Sequence, residues 1–330
     1  MFFPLESKVK EKLHSGKHFI VIGRAGLDLY PTPAGTKTAD AKLFTSDLGG
    51  SAANIAVSLS LLGSQVKLLS CFSKDCIGDF VKKKLTHYKV NIEYCRSVPG
   101  QNRNSLAIAE SFPTNPNVVI YRNNASDLLL SKDQVDKVNF HDACGLIITG
   151  TSLSSEPSRS AVKAAINLAI QNNCPIILDL DYRPDAWSNI NDASKEITKV
   201  AISSNICLGN KEEFNIISSS KNLTGKKYAQ FLAKNNILVF YKKGEKGCEI
   251  ISKDFSKNIE VYKVKGLKPF GAGDAFIGTL LHSLTKGLDV LESSLRANAA
   301  AAIVVRRVGC SSAMPKSNEI DKFLLKYKRI

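Results

Sequence analysis

Apolar residues in this chain fall into short continuous runs separated by longer stretches with helical spacing. Phe19-Ile20-Val21-Ile22 ends at Gly23, and comparable runs recur at Val66–Cys71, Gly145–Thr149, Pro175–Leu180, Ile206–Leu208 and Ile237–Tyr241. Runs so short and so uniformly apolar suit strands covered on both faces, the situation inside a parallel sheet. Between them, apolar positions recur three and four residues apart. Examples are Ile55, Leu59, Leu61 and Leu62, closed by Gly63; Phe80 to Leu85; Ala161, Ala164, Ala165, Leu168 and Ala169; and Phe276, Ile277, Leu280, Leu281 and Leu284. Strand and helix therefore alternate, which predicts one large α/β unit.

Two regions depart from that alternation. Residues 1–17 are polar with few core positions and read as an N-terminal extension, a short helix or an arm, to which no function is assigned; the main domain then spans residues 18–330. Tyr30 to Asp47 is polar and contains glycine, while Ser105 to Glu110 and Val118 to Tyr121 are short and strand-like. Together they suggest a small β structure outside the main sheet, around residues 30–48 and 103–124.

Charge and composition exclude several classes. The 330 residues carry a formal net charge of +15, but the basic positions are scattered, with no arginine-rich tail and no aromatic-basic interleaving. A solvated surface that attracts small anions fits better than nucleic-acid binding. Eight cysteines occur without a CxxC pair or a Cys/His cluster, so they read as reduced, buried thiols and not as a metal site. No run approaches the roughly 20 apolar residues that span a bilayer, and the first residues lack a signal-peptide apolar segment. The expectation is a soluble cytoplasmic protein with no membrane partner.

The chemistry concentrates at Gly271-Ala272-Gly273-Asp274, which opens the helical run from Phe276. Bare glycine backbone at a helix start turns unpaired amides and the positive end of the helix dipole toward an anion, with a carboxylate alongside. That is the equipment for phosphoryl transfer: Gly271, Ala272 and Gly273 hold the transferring group and Asp274 accepts the proton of an attacking hydroxyl. The competing account is an acidic residue that only complements the helix dipole. A second pair, Gly49-Gly50, precedes another helical run, with Asn54 in its first turn. Asp28 follows the first strand, where ligands of open α/β sheets gather, although a cap or turn role also suits it. The GxGxxG dinucleotide fingerprint is absent there.

These two glycine segments, Leu48-Gly49-Gly50-Ser51-Ala52-Ala53-Asn54-Ile55-Ala56 and Gly271 to Phe276, resemble the N-terminal and C-terminal signatures of the PfkB (ribokinase-like) carbohydrate kinases. The resemblance covers nearly everything after about residue 18. It implies a three-layer αβα sandwich around a mostly parallel sheet, with a small β lid that keeps water from the γ-phosphate. ATP and Mg²⁺ follow as co-substrate and cofactor. It also implies sugar contacts at Asp28, Gly49, Gly50 and Asn54, and at Arg24 and Arg122. Arg183, in Asp181-Tyr182-Arg183-Pro184, is the candidate for an acidic group on the sugar, although an ordinary Asp-Arg pair suits it almost as well. Nucleotide contacts are implied at Lys242, Gly244, Lys268 and Asn298. The Lys242-Lys243-Gly244-Glu245-Lys246-Gly247 stretch would equally serve as a hairpin loop. Asn210 and Glu213 would steer Mg²⁺ through its waters, while their Asn-x-x-Glu spacing alone also describes a capping box.

Within the family, Gly23 to Tyr30, Tyr121 to Ala125, Asp179 to Pro184 and Leu267 to Phe270 point to a sugar-acid substrate, with the 6-hydroxyl of 5-dehydro-2-deoxygluconate the expected acceptor. Another acceptor, such as 2-keto-3-deoxygluconate or fructose, and a non-catalytic sugar or nucleotide sensor are the alternatives. Lids in the family sometimes pair between subunits, so a homodimer through the lid stays open. One departure stands out. Many members carry Asp-Thr-Thr ahead of the Gly-Ala-Gly-Asp turn, the Asp helping to hold a monovalent cation, whereas this chain has Lys268-Pro269-Phe270. The Lys268 ammonium is expected to supply that positive charge, making activity independent of K⁺.

Overall fold

The computed structural model describes residues 5–327; the first four residues of the expected extension, and residues 328–330, lie outside it. An eight-stranded sheet forms its middle layer. His18–Ile22 lies between Gln65–Leu69 and Ala143–Thr149, and Ile176–Asp179, Ile206–Asn210 and Leu238–Lys242 continue the sheet, all parallel. Cys248–Ile251 and Ser256–Ile259 finish it with antiparallel pairing.

Successive side chains of a strand point to opposite faces, and here both faces are apolar. Phe19, Val21, Ile147, Ile177, Leu208 and Phe240 enter one core, whereas Ile20, Ile22, Ile148, Leu178, Cys207 and Val239 enter the other. The first core is covered by Ser51–Leu61, Ala272–Thr285 and Val290–Val304, and the second by Ser158–Gln171, Ile190–Ser203 and Gly225–Lys234. The result is the single α/β unit the alternating pattern predicts, layered as the αβα sandwich the family resemblance implies.

The N-terminal segment set apart in the sequence contains the helix Ser7–Ser15. Its Val9 and Leu13 are buried in the first core, and Lys12 Nζ donates to the His141 carbonyl at 2.6 Å. Two apolar positions four residues apart are enough to dock one face of a short helix, a signal masked by the charged residues around them.

A second sheet of four strands stands beside the sandwich in the order Leu43–Gly49, Gly26–Thr32, Leu106–Ala109, Val118–Tyr121. Its second strand begins just beyond His18–Ile22, which lies one strand in from the edge of the main sheet. Asp28 therefore lies inside this small sheet, paired across from Asp47. The Asp47 carboxylate accepts hydrogen bonds from the Cys310 and Ser312 backbone amides at 2.9 and 3.1 Å, fastening the small sheet to the C-terminal part of the chain.

One helix contact sets the site. Gly278 faces the helix Ser51–Leu61 so closely that a Cβ there would run into the Cβ and Oγ of Ser58. The two helices thereby meet with their N-terminal ends side by side. Gly278→Ala is expected to lower stability by about 1–3 kcal/mol through overpacking, read as a lower midpoint in thermal or urea denaturation. Adding Ser58→Gly should restore part of the loss, and no recovery would place the strain elsewhere.

Candidate active site

Gly271 adopts a left-handed conformation (φ 78°) immediately before the helix Ala272–Thr285, a backbone that a residue with a Cβ takes only at a cost. No side chain caps this helix start, and among the described residues the amides of Ala272, Gly273 and Asp274 have no protein acceptor. These are the unpaired donors every helix start leaves. Here they are free to meet an anion.

Asp274 lies in the first turn. Ser51 Oγ donates to its Oδ1 at 2.9 Å and Asn54 Nδ2 to its Oδ2 at 2.8 Å, so the two glycine segments converge across more than two-thirds of the chain. Gly50 makes this possible through its own positive φ of 99°, which starts the helix Ser51–Leu61 directly beneath Asp274. Asn54 is held in turn by Ser311 Oγ, which donates to its Oδ1 at 2.8 Å. Burial raises the Asp274 pKa to about 6, the negative charges of Asp179 and Asp181 add to that rise, and the hydrogen bonds from Asn54 and Ser51 oppose it.

Lys242, at the end of its strand, brings its ammonium to 3.4 Å from Asp179 Oδ1 and against the face of Gly273. Burial works against this charge, but Asp179, Glu213 and Asp274 outweigh it and hold the lysine pKa above its ordinary value. Gly244 sits on the turn that joins the antiparallel strands Leu238–Lys242 and Cys248–Ile251, closed by a hydrogen bond from the Lys243 amide to the Gly247 carbonyl at 2.7 Å. The stretch is thus a hairpin loop whose first lysine reaches the centre of the site. Lys268 is fully buried and lies with Asp28, Asp47, Asp274 and Cys310, its ammonium donating to the Phe270 carbonyl at 2.5 Å. Burial lowers its pKa, and those four groups oppose the shift. Asn298 donates to the Glu260 carbonyl at 3.0 Å and so ties the helix Val290–Val304 to the chain after the last strand.

The sugar-side candidates gather around Asp28. Gly49 is backed by its carboxyl group, which any Cβ at that position would overlap. Tyr30 Oη donates to Asp28 Oδ2 at 3.1 Å, while Oδ1 is buried with no partner in the protein. Burial raises the Asp28 pKa, with Arg24 and the Tyr30 hydrogen bond opposing. Arg24 Nη1 donates to Ser105 Oγ at 3.0 Å. Arg122 is not a free cation: it forms a buried ion pair with Asp127 and also reaches the Thr151 carbonyl. Arg183 Nε contacts Asp181 Oδ1 at 3.1 Å, and Thr151 Oγ1 donates to Asp181 Oδ2 at 3.0 Å, so Thr151 links Arg122 to the Asp181–Arg183 pair. The side chain of Arg183 remains more than half exposed.

Asn210 and Glu213 form the capping box their spacing allows. Asn210 Oδ1 accepts from the Glu213 amide at 2.9 Å, and Glu213 Oε2 accepts from the Asn210 amide at 2.7 Å. Burial raises the Glu213 pKa to about 7; Lys242 opposes that shift and Asp179 adds to it. Among the described residues, no three His, Cys, Asp or Glu side chains are grouped to hold a metal directly. One buried carboxylate with an uncommitted oxygen suits a cation that keeps most of its water and phosphate ligands. Sequence reasoning passed over Ser51, Asp47 and Asp179. A serine or aspartate is too common for spacing alone to mark it.

An αβα sandwich in which a carboxylate at one helix start meets a second glycine turn from the other end of the chain defines a phosphotransferase acting on an alcohol. Residues 17–317 match the pfkB family carbohydrate kinase pattern, and the chain belongs to that family of ATP-dependent sugar kinases. The 5-dehydro-2-deoxygluconokinase of Photobacterium profundum is 37% identical over 310 residues, 92% of this chain and 94% of that protein. Among solved structures, the fructokinase with bound ATP from Xylella fastidiosa superposes with a TM-score of 0.85 at 19% identity, over 95% of this chain and 100% of that one. A ribokinase II from E. coli in complex with ATP and Mg²⁺ gives 0.83 at 22% identity, over 94% and 99%. At those identities the structures speak for the fold alone. No described helix is long and apolar enough to cross a membrane.

Proposed function

We propose that this kinase transfers the γ-phosphoryl group of ATP to a primary hydroxyl of a sugar acid, with the 6-hydroxyl of 5-dehydro-2-deoxygluconate as acceptor. The observation that carries the reading is the convergence of Ser51 and Asn54 on the Asp274 carboxylate. It puts a base of raised proton affinity beside unpaired helix-start amides. The relative from Photobacterium profundum, similar along nearly its whole length, supports that acceptor.

In this reading Asp274 takes the proton of the acceptor hydroxyl as the phosphoryl group leaves ATP. The amides of Ala272, Gly273 and Asp274 hold the charge that develops on the transferring oxygens, and Lys242 lies close enough to share it. Asp28 Oδ1, buried without a partner, takes a hydroxyl of the sugar, since an orphaned acceptor is costly until a donor arrives. Arg183 and Arg24 supply positive charge for the acidic end of the acceptor. Bound Mg²⁺ would neutralise phosphate charge, and Glu213 Oε1, with Asn210 beside it, would hold the waters of that ion. The small sheet serves as the lid over this cleft.

Asp274→Asn should fold, bind the sugar and lose about 10²–10⁴-fold in kcat. In the wild type, kcat/KM should fall as pH drops through about 6, because the raised carboxyl pKa protonates the base there. A coupled ADP-release assay over a panel of sugars and keto acids tests the acceptor. Near-normal turnover of the variant would remove Asp274 from its role, and a preference for fructose or 2-keto-3-deoxygluconate would replace the acceptor.

Buried Lys268, among Asp28, Asp47 and Asp274, is proposed to supply in the protein the positive charge that a monovalent cation would otherwise bring. Exchanging K⁺ for tetramethylammonium in the assay should leave turnover unchanged; a large loss would defeat the idea.

The lid sheet leaves Leu43, Phe44, Val118, Val119 and Tyr121 exposed. By register Phe44, Val119 and Tyr121 share the face turned away from Asp28, and a second copy covering that face, giving a homodimer through the lid, accounts for their exposure. Analytical ultracentrifugation should find a dimer that Phe44→Glu with Val119→Glu dissociates; a monomeric wild type would refute it.

A further inference from the structure

Ser51 Oγ lies between two carboxylates, 2.9 Å from Asp274 Oδ1 and 3.3 Å from Asp179 Oδ2. A serine has one hydroxyl proton and donates to one acceptor at a time. With both aspartates ionised, one of these contacts brings oxygen lone pairs together with no hydrogen between them. The mismatch is buried, because Ser51 and Asp179 are both withdrawn from solvent. It disappears when one carboxyl group carries a proton: that group donates to Ser51 Oγ, and the serine hydroxyl turns to the other. The other Asp179 oxygen faces the Lys242 ammonium at 3.4 Å. The lysine favours Asp179 as the partner that stays ionised.

We propose that Asp179 is a positioning residue that acts on Asp274 through Ser51. Before phosphoryl transfer, the Ser51 hydroxyl points at Asp274 Oδ1. When the acceptor's O–H bond breaks, its proton bonds to that same oxygen, since Oδ2 is held by the Asn54 amide. Asp274 then donates to Ser51 Oγ, and the Ser51 hydroxyl, its own O–H bond intact, rotates to Asp179 Oδ2. One proton moves, from acceptor to Asp274, and the buried mismatch is relieved as it arrives. The Asp179 charge, relayed by Ser51, thus raises the proton affinity of the base when a proton is needed there, while the Ser51 hydroxyl by itself lowers it. The sense of the Asp274 shift, in which Asp179 raises the pKa and the Ser51 hydrogen bond lowers it in the ionised state, agrees with this arrangement.

Other charges face the same pair. Asp181 and Arg183 lie just beyond Asp179, Lys242 and Glu213 approach from the neighbouring strand ends, and Lys268 approaches from the glycine-turn side. The thiols of Cys207 and Cys310 are also near but stay protonated, burial having pushed both well up. Glu213 titrates in the same range as Asp274, so the informative quantity is the change between variants, not the wild-type midpoint.

This inference rests on Asp274 being the base, which Asp274→Asn decides separately. The experiment is the pH profile of kcat/KM, which reports the free enzyme, for the wild type, Asp179→Asn, Ser51→Ala and the double variant. Asp179→Asn should move the acid limb down by about one pH unit, the size of shift a like charge a few ångströms away produces. With alanine at 51 the same change should move the limb by less than half as much. Ser51→Ala alone leaves every buried charge in place and should move the limb to higher pH, which keeps the test open should Asp179→Asn not fold. A limb unmoved in either single variant, with kcat lowered evenly at all pH values, would reduce the residue to a structural role. An equal displacement with and without Ser51 would show that Asp179 acts through space alone. Either result overturns the proposal.

Discussion

The site depends on how closely the helices Ser51–Leu61 and Ala272–Thr285 approach. Gly278 removes the side chain that would hold them apart, and the closeness carries up both helices to their N-terminal ends. There the unpaired amides that open the second helix lie beside a carboxylate held by the side chains of Ser51 and Asn54. Residues distant in sequence are thus placed by the packing of one helix on another, which is stiffer than a loop contact.

That placement has an electrostatic cost. Asp179, Asp181, Glu213 and Asp274 crowd a region whose nearest cations are Lys242 and Arg183. Buried carboxylates without full compensation resist ionisation, so Asp274 and Glu213 are pushed toward neutral pH. Such an acid excess destabilises the fold at the pH where the enzyme works, and perturbed titration of this kind gathers at functional sites.

Much of this was legible in the sequence. The short apolar runs mark the buried strands because covered parallel strands need apolar residues on both faces, and Gly271 to Asp274 and Gly49-Gly50 announce themselves through residue types that only special backbone positions reward. What was hidden depends on tertiary placement. Asp28 reads as part of the segment following the first main-sheet strand, but the chain crosses at Arg24-Ala25 into the small sheet, and nothing local signals that crossing. Arg122 looked available until the fold set Asp127 beside it, five residues on. Asn298 and the Asn210–Glu213 pair carry hydrogen bonds within the protein that residue type alone leaves undecided. The charged helix Ser7–Ser15 hides its two core residues among lysines and glutamates.

Asp28 and Asp274 stand on separate bodies, one in the small sheet and one at a helix start of the sandwich. A sugar touching both becomes a strut between them. Part of its affinity would then come from contacts made on both bodies at once, less the cost of fixing one against the other, and an acceptor too short to reach across would forfeit that contribution. The length of the carbon chain, as much as its stereochemistry, would then be gauged by the gap between two pieces of protein.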